Sequence, residues 1–153
     1  MRIVVQRATR AQVKVGGVII GQIDRGAVVL VGIGVGDTTE MVDRMADKLV
    51  GLRYFADAEG RTNLAIGDIG GAYLVVSQFT LLADLRRGRR PGFGDAAPPE
   101  IAEPMVVRFA ERMRAAGHPV ATGRFGAEME VELVSDGPFT LVLEASPEGG
   151  GED

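Results

Sequence analysis

Apolar and polar residues follow two rhythms along this chain. RIVVQRA, AQVKV and VIIGQI alternate with a period of two and predict three strands. Gly16 and Gly17, between the last two, predict a tight hairpin, because glycine accepts the positive φ of primed turns. GAVVLVGIGV is nearly all apolar, which predicts a strand buried on both faces. In DTTEMVDRMADKLVGLRYF the rhythm changes. Val42, Met45, Ala46, Leu49 and Leu52 form one stripe at helical spacing, Asp37 or Thr38 can cap, and Glu40 supports the first turn.

AYLVVSQFTLLAD predicts the next buried strand, and LRRGRRPGFGDAAPP a basic, glycine-rich loop. Ile101, Met105, Phe109 and Met113, four apart, predict a second helix. Pro104 lacks the N–H that would bond back, so either a kink or a start near Glu103 is expected. Gly117 ends that helix as a C′ residue. Three strands follow, at Val120–Thr122, 129–134 and 139–145, with SDGPFT as a hairpin turn between the last two. The order ββββ-α-β-α-βββ predicts an α+β fold with extensive sheet and two main helices. It occupies one domain over residues 1–146, followed by a flexible acidic tail at 147–153.

Composition narrows the class. At 153 residues and 46% apolar content the chain can bury a core without disulfides, and it has no cysteine. No apolar stretch approaches the roughly 20 residues that span a bilayer, and the N-terminus lacks a signal peptide's pattern, so a cytoplasmic protein is expected. The net charge of −4 does not advertise a nucleic-acid partner, but three of the acids sit in the tail. The RRGRR run at 86–90 is a strongly basic patch, for which charge alone supports a solvated loop as readily as a functional one.

Ordinary catalytic constellations are missing. With no cysteine and a single histidine, a conventional zinc site is excluded; that histidine, His118, lies between a helix end and Pro119, and nothing supports a Ser-His-Asp triad through it. GIGVGD lacks the Lys-Ser/Thr of a P-loop and reads as a strand turning into a helix. SQFTLLAD differs, because it sets Ser77, Gln78 and Thr80 at the end of an apolar strand. Polar groups there either terminate the sheet or line a pocket whose hydroxyl, amide and free N–H groups face a carbonyl oxygen.

SQFTL at 77–81 and GPFT at 137–140 resemble the two signature motifs of the D-aminoacyl-tRNA deacylases. MRIVVQRATRAQVKVGG, FADAEGRTNLAIGDIGG, GRRPGF and GRFGAEMEVELVSDGPFT extend the likeness from Met1 to about Ala145. The resemblance implies a β-rich, barrel-like homodimer with active sites at the subunit interface. Its substrate is the acceptor end of aminoacylated tRNA, from which it hydrolyses D-amino acids and mischarged glycine. No cofactor, metal or membrane partner is implied. Ser77, Gln78, Phe79 and Thr80 would form the catalytic wall, with N–H groups near Phe79 and Thr80 facing the oxyanion. Thr80 is then either a nucleophile or a positioning group for attack by water assisted by the terminal ribose 2′-OH.

Gly137 and Pro138 would carry a cis peptide into the partner's site, their carbonyls accepting from the substrate ammonium while an L side chain collides with the backbone. Arg7 would hold that backbone, Phe125 and Met129 would neighbour the pocket, and Arg86, Arg87, Arg89 and Arg90 would meet acceptor-end phosphates. Two residues depart from the family pattern: Ser135 stands where asparagine is usual, and Phe139 where valine is. The competing readings are a non-catalytic RNA-binding or editing-accessory module of the same fold, and a hydrolase of small D-amino-acid esters using Thr80.

Overall fold

In the computed structural model, which describes residues 1–147, the first two predicted strands are one: β1 runs Arg2–Val15 without a break. The tail expected at 147–153 falls, from residue 148 on, outside the described residues. Along one edge, β1 pairs antiparallel with β2 (Val18–Ile23) through its second half and with β3 (Gly26–Gly32) through its first. Its other edge is covered by β8 (Glu130–Glu144). β3 pairs in parallel with β6 (Ala72–Ser77), and β6 in parallel with β7 (Val120–Thr122).

Parallel neighbours need a crossover. Between β3 and β6 it is made by α1 (Thr39–Gly51) and a small antiparallel pair, β4 (Arg53–Ala56) and β5 (Thr62–Ala65), which apolar spacing did not mark. The sheet then curls on itself. A Cβ added at Gly21 on β2 would lie 2.8 Å from the Thr122 carbonyl oxygen on β7, so the two far edges nearly meet in a barrel-like α+β fold.

The apolar runs explain the two cores. On β3, Ala27, Val29 and Val31 face the helices and join Val42, Leu49, Phe109 and Met113. Val28 points into the barrel with Val13, Leu74 and Val76. Both faces of β3 and β6 are therefore buried, as their unbroken apolar sequences require.

Thr38 caps α1, its side chain accepting from the Met41 N–H at 3.2 Å. Asp37, the other candidate cap, turns inward and accepts from the Met1 ammonium at 2.9 Å and the Gly34 N–H at 2.6 Å. The second helix, α2 (Pro99–Ala115), begins four residues before the expected start near Glu103 and continues through Pro104. Pro104 is exposed, so the carbonyl left without a donor faces water. Gly117 (φ 96°) closes α2 in a Schellman motif: its N–H bonds Arg114 O and that of His118 bonds Met113 O.

SDGPFT departs most from its expected form. It is not a hairpin turn, because both flanks pair with β1 in the same direction: Ser135 opposes Ala8 and Thr140 opposes Gln6. Residues 136–139 bulge out of β8 with only Arg7 opposite them.

Helices α1 and α2 are clamped by two bidentate pairs. Arg108 reaches Asp43 (2.8 and 2.8 Å) and Arg112 reaches Asp47 (2.9 and 2.8 Å). The hydrogen bonds from these arginines hold both carboxyls below their ordinary value. A depressed folded value adds stability above the unfolded pKa and loses it as pH falls through the folded one. Asp43→Asn with Asp47→Asn is thus expected to lower Tm modestly at neutral pH and by less at an acid pH below the ordinary carboxyl value. Melting curves at the two pH values check this, and an equal deficit at both would exclude the carboxylates as its source.

Candidate active site

β6 ends at Ser77, and the next N–H, that of Gln78, still bonds the Val31 carbonyl at 2.8 Å. The chain then leaves the sheet in a single 3-10 turn, Phe79–Leu82. The N–H groups of Phe79 and Thr80 are the first two of that turn and have no acceptor within it. The turn is held down by Arg2, whose Nη1 donates to Leu81 O at 2.6 Å, and by Leu82 seated in the space over Gly32.

Ser77, Gln78 and Phe79 line a cavity of about 700 Å³ at the carboxyl ends of β3 and β6. Phe125 and Met129 line it too. Both also pack on the two cores, so pocket wall and core residue are one role here. Thr80 is exposed and is not part of this lining; its Oγ1 accepts from Gln78 Nε2.

The lining also includes Phe93, Ala97 and Pro98, which sequence reasoning left unassigned. The loop that carries them is tied to the end of β3 by the pairing of Gly34 with Ala96 and by Ala97 N–H donating to Ile33 O at 2.9 Å. Phe93 lay inside the family-like GRRPGF, and that was the available signal. Its ring meets Phe79 edge to face, with centroids 5.1 Å apart. Among the described residues, Glu128 is the only ionisable one in the lining.

Gly137, Pro138 and Arg7 do not line this cavity. They form a separate cluster at the β8 bulge. The Gly137–Pro138 peptide is cis, with Gly137 at φ 134°. Arg7 Nε donates to the Asp136 carbonyl at 3.0 Å and lies 3.3 Å from its carboxylate, while Nη1 donates to Tyr54 O at 2.8 Å. The guanidinium also sits 4.6 Å from the centre of the Phe139 ring, which stacks on Tyr54 at 6.3 Å. The atypical Phe139 therefore serves as a platform for Arg7. Tyr54 is buried, and burial pushes its phenol far above the usual range, so the ring stays neutral. Tyr54 takes part through a backbone carbonyl, for which a sequence offers no signal.

The basic loop springs from the cavity rim, closed at its base by the paired backbones of Asp84 and Gly92 (2.7 and 2.9 Å). Its four arginines are not equivalent. Arg86 is spent on Asp84, which takes its Nε at 2.8 Å and its Nη2 at 2.9 Å and is held at a pKa of about 2 by those bonds. Arg87, Arg89 and Arg90 are exposed and form no ion pair among the described residues.

The family model for D-Tyr-tRNA(Tyr) deacylase matches residues 4–144. A D-aminoacyl-tRNA deacylase of Roseiflexus sp. (strain RS-1) is 56% identical over 146 residues, covering 95% of this chain and 94% of its own. One from Symbiobacterium thermophilum is 55% identical over 145 residues, covering 95% and 96%. The solved structure of the c-Myc DNA Unwinding Element Binding Protein superposes with a TM-score of 0.90 at 41% identity, covering 95% of this chain and 99% of that one. The match takes in both the strand end that opens the cavity and the β8 bulge, and with relatives more than half identical over almost its whole length, this chain belongs to the D-Tyr-tRNA(Tyr) deacylase family.

Proposed function

We propose that this protein hydrolyses the ester between a D-amino acid, or mischarged glycine, and the 3′-terminal adenosine of tRNA, releasing free amino acid and tRNA. The observation that carries the reading is the cavity at the end of β6, lined by the first residues of SQFTL and large enough for an aminoacylated nucleoside. Its lining is mostly apolar, which suits a purine ring, and its polar side chains are Ser77, Gln78 and Glu128. The ester carbonyl lies against the N–H groups of Phe79 and Thr80, whose hydrogen bonds strengthen as the oxygen becomes an oxyanion. An aminoacyl ester is already activated, so positioning and charge stabilisation carry the reaction.

Discrimination falls to Gly137 and Pro138. Their carbonyls accept from the substrate ammonium, an L side chain meets the backbone, a D side chain points away, and glycine escapes for want of a side chain. Within one chain these residues lie apart from the cavity, so the filter serves the site of a second copy in a homodimer.

Initial rates on D-Tyr-tRNA, Gly-tRNA and L-Tyr-tRNA test the proposal. The first two are hydrolysed and the third is spared; an inert D-Tyr-tRNA refutes the reading. The structural likeness to a protein named for binding a DNA element favours nucleic-acid binding without catalysis as the second reading. Retained tRNA binding without hydrolysis would support it.

Arg87, Arg89 and Arg90 take acceptor-end phosphates. Arg89→Glu with Arg90→Glu is expected to raise KM on tRNA by about tenfold or more at low salt and to flatten its salt dependence, with kcat little changed. An unaltered KM across a salt series would remove the loop from the tRNA path.

A further inference from the structure

We infer that the groove between α2 and β7 is a second subsite of this active site, in which Arg124 binds the phosphate on the 5′ side of the terminal adenosine. The inference rests on the deacylase reading above. A cavity of about 300 Å³ adjoins the main one, and Ser77 and Phe125 line both. A nucleoside in the main cavity thus has a single wall to pass before its backbone enters the groove.

The chemistry of the groove is that of a phosphate site with one uncommitted donor. Two guanidinium groups line it, Arg114 and Arg124. Arg114 is fully engaged, donating from Nε and Nη2 to Val120 O (3.3 and 2.9 Å) and from Nη1 to Glu111, which fastens the end of α2 to β7. Arg124 is exposed, and its side chain forms no hydrogen bond or ion pair among the described residues. Its planar fork is matched to phosphate oxygens.

The backbone that carries Arg124 is fixed on both sides. Gly123 N–H donates to Val75 O at 3.0 Å, and a Cβ on Gly123 would come within 2.6 Å of Met129 Sδ, so this stretch lies flat against the cavity wall. Phe125 follows directly as the shared partition. Glu103 on α2 is the one carboxylate in the lining among the described residues, and it repels a phosphate, so the anion is drawn to Arg124. This cation is separate from Arg87, Arg89 and Arg90, which stand on a different loop and serve phosphates farther along the strand.

The probes are hydrolytically inert amide analogues, D-tyrosyl-3′-amino-3′-deoxyadenosine with and without a 5′-phosphate, titrated by calorimetry. The native protein is expected to bind the phosphorylated analogue about tenfold more tightly. Arg124→Ala abolishes that preference and Arg124→Lys restores part of it, while Arg89→Glu with Arg90→Glu leaves it intact. Equal affinity for both analogues in the native protein, or a preference that survives Arg124→Ala, overturns the subsite. Because binding is read without turnover, a preserved phosphate preference in a protein inert toward D-Tyr-tRNA would uphold the subsite and sink the deacylase reading instead.

Discussion

Arg7→Ala is expected to lower kcat/KM on D-Tyr-tRNA by about 100-fold, the scale on which a displacement of about 1 Å in positioned groups acts. The Arg7 side chain is 14% exposed and spans the two sides of the bulge, binding Asp136 O on one and Tyr54 O on the other while lying on Phe139. A Cβ built on Gly137 would already be 3.2 Å from Arg7 Nη2, so guanidinium and Gly-Pro backbone are in contact. Alanine removes every one of these supports and leaves two carbonyls without their charged donor. The cost to the fold, about 1–3 kcal/mol, is small beside the loss of activity, because β8 remains paired to β1 on both sides of the bulge. Arg7→Lys recovers only part of the rate, since a point charge cannot bridge two carbonyls and stack on a ring. Single-turnover deacylation measured alongside thermal melts separates the effects. A folded Arg7→Ala protein with native activity would show that the Gly137–Pro138 segment needs no such support, and with it the filter reading would lose its main structural basis.

What the sequence displayed was whatever local pattern decides. The unbroken apolar runs of β3 and β6, the α1 stripe and the Gly117 cap were legible because each depends on residues a few positions apart. The two strand misreadings depend on partners far away. β1 was split at Thr9 and Arg10, two exposed polar residues that interrupt the alternation; the strand is continuous because β8 lies alongside both halves. The same pairing turns Gly137–Pro138 from a hairpin into a bulge, since turn chemistry cannot report that both flanks will join one neighbour. Pro104 reads as a helix breaker until its exposure is known.

The site divides in the same way. Ser77, Gln78 and Phe79 were visible as polar and aromatic residues ending an apolar strand, and the family likeness gave them a purpose. Phe93, Ala97 and Pro98 reach the cavity through a loop whose anchor to Gly34 no periodicity encodes. The engagement of Arg86 by Asp84, two residues away, is the one local contact that charge counting passed over.

Thr80→Ala is expected to retain activity within about tenfold of the native enzyme, the value of one modest hydrogen bond. A tRNA ending in 2′-deoxyadenosine is expected to react about 10²–10³-fold more slowly, the usual scale of a lost proton-transfer partner. The two expectations share a cause. A threonine hydroxyl becomes a nucleophile only when a base can take its proton. The group that touches Thr80 Oγ1 is the Gln78 amide, which in either orientation is too weak a base. Among the described residues no histidine or lysine lines the cavity, and His118 packs against the ring of Tyr73. The ribose 2′-OH, by contrast, is carried in by the substrate one carbon from the ester, where it can assist an attacking water. Thr80 then acts as a positioning residue, holding Gln78 and with it the turn that presents the N–H groups of Phe79 and Thr80. The result that decides between the views is a crossed measurement, native and Thr80→Ala proteins on ribo- and 2′-deoxy-terminated D-Tyr-tRNA. An inert Thr80→Ala protein that still binds tRNA, together with a native enzyme indifferent to the 2′-OH, would assign the attack to Thr80.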